Sequence, residues 1–229
     1  PGFSFHDDAK AFLRILHDWD QWGMCQVQMN ILDDENQATL EGIREAGRRG
    51  VGVVVMEPLR GGLLANPPVD VKAVYDAYAV RRSPVEWGFR YLYAMPEVIT
   101  ILSGMSTWAQ VTDNLRIFDM AKRPTLTDEE LALYQKVKAT YLARTKTRCT
   151  GCKYCQPCPM GVQIPRIFQG YDAAMLRADS SFKAGYAQIQ ADHADASQCI
   201  HCRKCERVCP QHLPITRFLE EIHAASAAE

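Results

Sequence analysis

The chain has 229 residues, 47% of them hydrophobic, and its 26 Lys and Arg against 27 Asp and Glu leave a formal charge of -1. That length holds one large or two small domains with a packed core, and the near-neutral charge argues against nucleic acid as a general partner. No run approaches a membrane span and no basic amphipathic anchor is present, so no membrane partner is expected.

The opening, Pro1-Gly2-Phe3-Ser4-Phe5-His6, has no methionine and reads as the end of a strand, which points to a fragment of a longer protein. Phe12, Leu13, Ile15, Leu16 and Trp19 recur near helical period and predict a helix from Ala9 to Trp19. Met24 to Met29 reads as a strand. Asn36 or a neighbour is placed to cap a helix carrying Leu40, Ile43 and Ala46, and Gly50 sits where a helix ends in a left-handed cap. Val51 to Met56 fits a strand buried on both faces. After a Gly- and Pro-rich loop, helices are expected over Val71 to Val80 and Val85 to Met95, with Pro84 in the first turn of the second. Val98 to Leu102 is a further strand, and Gly104 to Thr107 opens a helix running to Phe118.

Strand and helix thus alternate four times, which calls for parallel strands joined by crossovers. The expected fold class is α/β, as half of a (β/α)8 TIM barrel; a small doubly wound sheet is the alternative. Half a barrel leaves two parallel edges unpaired, which again points to an N-terminal half before Pro1. Thr127 with Glu130 forms a complete helix start, and that helix runs to about Arg144. The domain boundary is placed near Lys146, giving domains 1–146 and 147–229.

Eight of the nine cysteines fall beyond that boundary, in two runs. The second, Cys199, Cys202, Cys205 and Cys209 before Pro210, has the spacing that ligates a four-iron cluster in bacterial two-cluster ferredoxins. The first, Cys149, Cys152, Cys155 and Cys158 before Pro159, has one residue fewer ahead of its last cysteine. Cysteines three apart on a curled loop reach three corners of a cubane, and in two-cluster proteins the fourth thiolate comes from the other run. Cys149, Cys152 and Cys155 are therefore expected to share one [4Fe-4S] cluster with Cys209, and Cys199, Cys202 and Cys205 the other with Cys158. Zinc knuckles are the main competitor, but a third cysteine at the same step has no use in them. Disulfides need an oxidising compartment, whereas reduced, metal-type cysteines suit a cytoplasmic protein. Between and after the runs, Ile164, Ile167, Phe168, Tyr171 and Met175, then Phe182, Tyr186 and Ile189, then Ile215, Phe218, Leu219 and Ile222 keep helical spacing. The cluster domain is expected to be an all-α helical ferredoxin.

In a barrel, function sits at the carboxyl ends of the strands. The loop from Gly104 is a phosphate candidate, because free amides at a helix start attract anions; an ordinary capped loop explains it equally well. Gly2-Phe3-Ser4, Gln26-Val27-Gln28, Met56 to Leu63 and Gly104-Met105-Ser106 with Gln110, Asp113 and Asn114 resemble the second half of an aldo/keto reductase. With the cysteine runs, the whole chain resembles the branch carrying a C-terminal ferredoxin-type domain.

The resemblance implies that Ser4 and Gln26 bind the nicotinamide carboxamide and that Met56 lies where the family often stacks an aromatic on the ring. It also implies that Pro58, Leu59 and Gly61 line the pyrophosphate path, and that Gly104, Met105, Ser106, Gln110 and Asn114 hold the adenosine end of NAD(P). Phe5 stands where many members have Asn, and no cation occupies the positions that grip a 2′-phosphate, so NAD and NADP stay level. The family's catalytic Asp, Tyr, Lys and His belong to the first half of its barrel, so no catalytic residue is assigned here.

The expected activity is NAD(P)-linked redox chemistry on a small-molecule carbonyl or alcohol, with electron transfer through two [4Fe-4S] clusters. An iron–sulfur carrier with the barrel half as scaffold is the alternative. Arg144, Lys146, Arg148, Lys153, Arg203, Lys204 and Arg207 surround the runs and are expected to dock an acidic redox partner such as a ferredoxin or flavodoxin.

Overall fold

The computed structural model describes residues 1–119, 123–149 and 151–227. The chain separates into two compact units, Pro1–Ala139 and Thr140–Glu229. Among the described residues no helix is long and apolar enough to cross a membrane.

The first unit alternates strand and helix as in half of a barrel. Strands β1 (Gly2–Ser4), β2 (Met24–Gln28), β3 (Gly52–Met56) and β4 (Val98–Ile101) form one sheet in chain order, every neighbouring pair parallel. The connections carry α1 (Ala9–Asp18), α2 (Thr39–Arg48), and the pair α3 (Val69–Asp76) and α4 (Pro84–Tyr93); α5 (Trp108–Phe118) follows β4. Alternation along β2 and the apolar run of β3 bury Cys25, Val27, Val53 and Val55 against Phe12, Leu16 and Ile43 of α1 and α2. Register sets Ser4 beside Gln26 and Gln28 beside Met56, so β2 and β3 end level while β1 stops two residues short of them.

Local signals act much as the sequence predicts. Gly50 takes φ +73°, its N–H donates to Gly47 O at 3.0 Å, and Val51 N donates to Ala46 O at 2.9 Å, which closes α2 in a Schellman motif. Ser83 caps α4 by accepting from Glu86 N at 3.0 Å, with Pro84 at the first helical position. The start of α2 differs. Asn36 does not cap it; Ala38 holds that position without a side-chain bond, and the neighbouring Thr39 supplies one, its Oγ1 accepting from Gly42 N at 3.4 Å.

Helix α6 (Asp128–Arg144) begins with reciprocal bonds between Thr127 and Glu130. In the second unit α7 (Ile164–Arg177), α8 (Ser181–Ala191), a one-turn α9 (Lys204–Arg207) and α10 (Ile215–Ala227) are joined by loops, with no strand among the described residues. Ile164, Ile167, Phe168, Tyr186, Ile189, Ile215, Leu219 and Ile222 form its core, and Cys149, Cys155, Cys158, Cys199, Cys205 and Cys209 pack against that core from the loop side.

Candidate functional site

At the carboxyl ends of β3 and β4 a cleft of about 620 Å³ opens in the first unit. Pro58, Leu59 and Gly61 form one wall; Gly104, Met105, Gln110 and Asn114 form the other. Glu57, Asn66, Ser103 and Asp113 also line it. Ser103 is the structural pin of the second wall, since its Oγ accepts from Asn114 Nδ2 at 3.0 Å and Met105 N at 3.3 Å.

The helix after this wall is capped by Thr107, not by Ser106, although a serine there has the chemistry of a cap. Thr107 Oγ1 accepts from Gln110 N at 3.3 Å, while Gln110 Oε1 accepts from Ser106 N at 2.8 Å and Thr107 N at 3.1 Å. A Thr with Gln three positions on is the capping-box pattern, and only Thr107 has it. Two amides of the phosphate candidate are thus engaged by Gln110, so an anion reaching them displaces that side chain. Ser106 is exposed beside the cleft and is not in its wall.

Ser4, Gln26 and Met56 form a separate group across β1, β2 and β3. Gln26 Nε2 points between Ser4 Oγ at 3.5 Å and Met56 Sδ at 3.6 Å, contacts too long to hold the amide firmly. Phe5 turns the other way, 5% exposed and edge-on to Phe12, so the residue that replaces Asn belongs to the core.

Beside this group lies a polar cluster that sequence reasoning does not identify. Asp33, 5% exposed, accepts from Gln28 Nε2 and Asn30 Nδ2 at 2.8 Å and pairs with Arg60 at 3.5 Å. Asn30 Nδ2 also donates to Glu57 O at 3.0 Å, and Glu57 Oε2 accepts from Gly61 N at 2.6 Å. Glu57, Arg60, Gly61 and Gly62 all have positive φ, so this cluster holds a strained loop against the cleft. Cys25 is fully buried, and burial pushes its thiol up to about 12, the behaviour of an inert core residue.

In the second unit the eight cysteines sort into two crossed sets. Cys149, Cys152, Cys155 and Cys209 line one cavity with Ile164, Phe168 and Ile215; Cys158, Cys199, Cys202 and Cys205 line another with Val162, Ile164 and Leu219. Ile164 separates them. Each cavity has one cation at its edge, Lys153 and Arg203 respectively, and both residues follow the second cysteine of a run.

The two halves repeat one another closely. Gly151 and His201, Lys153 and Arg203, Gly161 and His212 all take positive φ at matching places. Gly161 N donates to Cys158 O at 3.0 Å, as His212 N does to Cys209 O at 3.0 Å. Each run then feeds a long helix, α7 or α10, that carries the core. The shorter first run still delivers Cys158 to the second cavity, so the missing residue shortens the turn without moving the sulfur to the wrong set.

Burial raises the thiols of Cys149 and Cys199, and takes Cys155 and Cys205 to about 11 each. They keep their protons near neutrality until metal displaces them. Gly151 N donates to Cys149 Sγ at 3.4 Å, the kind of amide–sulfur bond that tunes a cluster. Among the described residues no three His, Cys, Asp or Glu side chains converge closely enough to hold a single ion. Thiolates on one zinc, at about 2.3 Å each, would have to crowd together. Each cavity is lined by four thiols, the number of ligands that a four-iron cubane takes.

Two acids fasten these loops, and sequence reasoning gives neither a role. Asp172 on α7, 7% exposed, accepts from Lys146 N at 2.9 Å, Thr147 N at 3.1 Å, Thr147 Oγ1 at 2.7 Å and Arg148 N at 2.7 Å, just before Cys149. Glu206, inside the second run, accepts from Thr216 N at 2.9 Å and Thr216 Oγ1 at 2.7 Å at the start of α10. Burial opposes its charge, but the Thr216 bonds prevail with help from Arg203 and hold its carboxyl below the usual value. His201 is exposed and lies 3.5 Å from Glu220, away from any ligand role.

Comparison with known proteins yields two family matches. Residues 2–139 match the model of the aldo/keto reductase family, and residues 148–213 match a 4Fe-4S dicluster domain. Among solved structures the chain is similar to the aldo-keto reductase AKR11C1 from Bacillus halodurans. The holo form matches at 24% identity and a TM-score of 0.47, covering 59% of this chain and 49% of that chain. Its apo form matches at 24% identity and a TM-score of 0.46, covering 58% and 49%. The chain spans about half the length of that protein. No curated protein matches it.

Proposed function

Because the chain belongs to the aldo/keto reductase family and carries a 4Fe-4S dicluster domain, we propose that it is part of an iron–sulfur oxidoreductase performing NAD(P)-linked carbonyl or alcohol chemistry. Its first unit supplies half of the cofactor site. Pro58, Leu59 and Gly61 border the pyrophosphate, and Gly104, Met105, Gln110 and Asn114 close on the adenosine end with Ser106 at the rim. Ser4 and Gln26 hold the carboxamide beside Met56. The loose amide of Gln26 is free to turn toward such a ligand. A nicotinamide held there would supply hydride chemistry on a small-molecule carbonyl, and no acid–base residue for it is assigned in this chain.

The second unit holds two [4Fe-4S] clusters, which supply one-electron transfer. Cys149, Cys152, Cys155 and Cys209 hold one; Cys158, Cys199, Cys202 and Cys205 hold the other. The crossed sorting of the eight thiols around two apolar cavities is the observation that carries this reading. Metal-type cysteine runs suit a cytoplasmic protein, the compartment of this reading.

The test is direct. The purified chain should be brown, contain about eight irons for two such clusters, and lose its broad visible absorbance with dithionite. Titration with NADH and NADPH should quench its tryptophan fluorescence. Colourless protein with stoichiometric zinc would refute the cluster assignment. Iron-loaded protein that ignores both nucleotides would leave an electron carrier with a scaffold barrel.

A further inference from the structure

Between the two cysteine runs lies a groove of about 190 Å³. Its floor holds Cys155 and Cys158 from the first run and Cys202 and Cys205 from the second, so both thiol sets reach it. Its walls are apolar, with Tyr154 66% exposed and Val208 51% exposed, and Pro157 and Pro159 between them. Exposed apolar surface gathered in one patch and bordered by polar residues marks an interaction site.

Lys204 is the one charged residue that lines the groove, and the two segments that form it are basic. Residues 146–160 and 200–210 contain Lys146, Arg148, Lys153, Arg203, Lys204 and Arg207, and the single acid Glu206. Glu206 is turned inward onto Thr216, and Lys146 is paired with Glu221 at 2.5 Å. Lys153, Lys204 and Arg207 are exposed and in no ion pair among the described residues. A fold that needed these cations for its own stability would give them partners. Here they face solvent around an apolar centre.

We propose that this groove is the docking surface for an acidic one-electron carrier protein of the flavodoxin kind, an inference that rests on the eight thiols holding clusters. An apolar centre with a charged border is the anatomy of a protein interface, and redox encounters use small ones. A positive border selects a negative partner and steers its approach. In the docked pair one electron leaves the reduced carrier, which is oxidised by one unit, and reduces the chain by one; no bond forms or breaks. The two sulfur sets meeting at this floor bring either centre close to the partner.

The experiment uses the iron-loaded chain and an acidic flavodoxin, first checking the dithionite-bleachable absorbance. Affinity is then read by isothermal titration and electron exchange by stopped flow, at about 50 mM and about 300 mM salt, which span strong and weak screening. Wild-type affinity should fall steeply with salt. The double variant Lys204→Glu with Arg207→Glu should bind about tenfold more weakly at low salt while keeping its absorbance. Val208→Ala with Tyr154→Ala should weaken binding at both salt concentrations. Arg177→Glu, at the far end of α7, should change nothing.

An affinity indifferent to salt, or unchanged in the double variant with its clusters intact, overturns the docking surface alone. So does preferential binding to anionic vesicles. A wild-type chain without bleachable absorbance overturns the cluster assignment and this inference with it.

Discussion

Asp172→Ala should cost the second unit one cluster before it costs the fold. The substitution strips acceptors from three backbone amides and one hydroxyl, all in residues 146–148. Thr147 is 1% exposed, so its two donors bear nearly the full cost of a missing partner, about 1–3 kcal/mol each. The amides of Lys146 and Arg148 lie nearer water and carry about half that. The sum is about 3–9 kcal/mol, comparable with the whole stability of many small domains at about 5–15 kcal/mol. It falls on the segment that delivers Cys149. Iron content should drop from about eight toward about four, with the loss in the Cys149, Cys152, Cys155 and Cys209 set. Asp172→Asn keeps the volume but turns amide hydrogens toward donors, and should show about half the effect. Iron analysis, dithionite-reduced EPR and thermal unfolding followed at 222 nm measure all three quantities. Full iron content and an unchanged melting temperature in Asp172→Ala would show that the four bonds do not position the loop.

Three further outcomes follow from the same geometry. Cys158→Ser should damage the cluster of Cys199, Cys202 and Cys205, although Cys158 lies in the first run; EPR in which only the other cluster disappears would contradict the crossed sorting. Thr107→Ala removes the cap of α5 and should cost about 1 kcal/mol, with weaker nucleotide binding at the cleft wall it supports; an unaltered urea midpoint would show the cap contributes little.

Asp195, 3% exposed, caps the turn before Cys199. Burial raises its carboxyl, but hydrogen bonds from Ser197 and the nearby His223 outweigh that and set it below the usual value. A depressed carboxyl contributes stability that is fully present above its unfolded value of about 3.9 and is lost as pH falls through the lower folded value. Urea unfolding of iron-free protein should therefore weaken in that acid range, and Asp195→Asn should flatten the change.

What the sequence reveals here is mostly local, and the reason is physical. Gly50, Ser83-Pro84 and Thr127 with Glu130 act within one helical turn, so a short window contains the whole cause. The cysteine spacing is local too, with a ligand chemistry that few other patterns share. Thr107 was readable, because its Gln three residues later distinguishes it from Ser106. Asp33 and Asp172 were not. Asp33 meets Arg60, and Asp172 meets residues 146–148, across gaps that only the folded chain closes. A lone Asp on a helix or in a loop carries no mark of the amides it will face. Asn36 is a different case, since it has the chemistry of a cap and Thr39 makes the bond instead.

The cysteine loops carry a conformational cost that the bonds of Asp172 and Glu206 offset only in part. Arg148, Lys153, His201, Arg203 and His212 are non-glycine residues with φ between +50° and +65°, all within or beside the two runs. Each such residue costs about 1–2 kcal/mol against a right-handed conformation, so the five together approach the net stability of a small domain. Glycine would remove the strain, and Gly151 shows that glycine is used at one of these places. Apolar packing by Ile164, Phe168 and Ile215 reaches the loops only through their cysteines, and the residues between the cysteines lie mostly at the surface. Ligation is therefore the term that keeps the loops curled, as metal binding does in small metal-held domains. Chelating the iron under reducing conditions should raise amide exchange through residues 147–161 and 200–212 by at least about tenfold, while the α7–α8 core stays protected. Unchanged protection of the loops after iron removal would mean that the polypeptide sustains this conformation unaided.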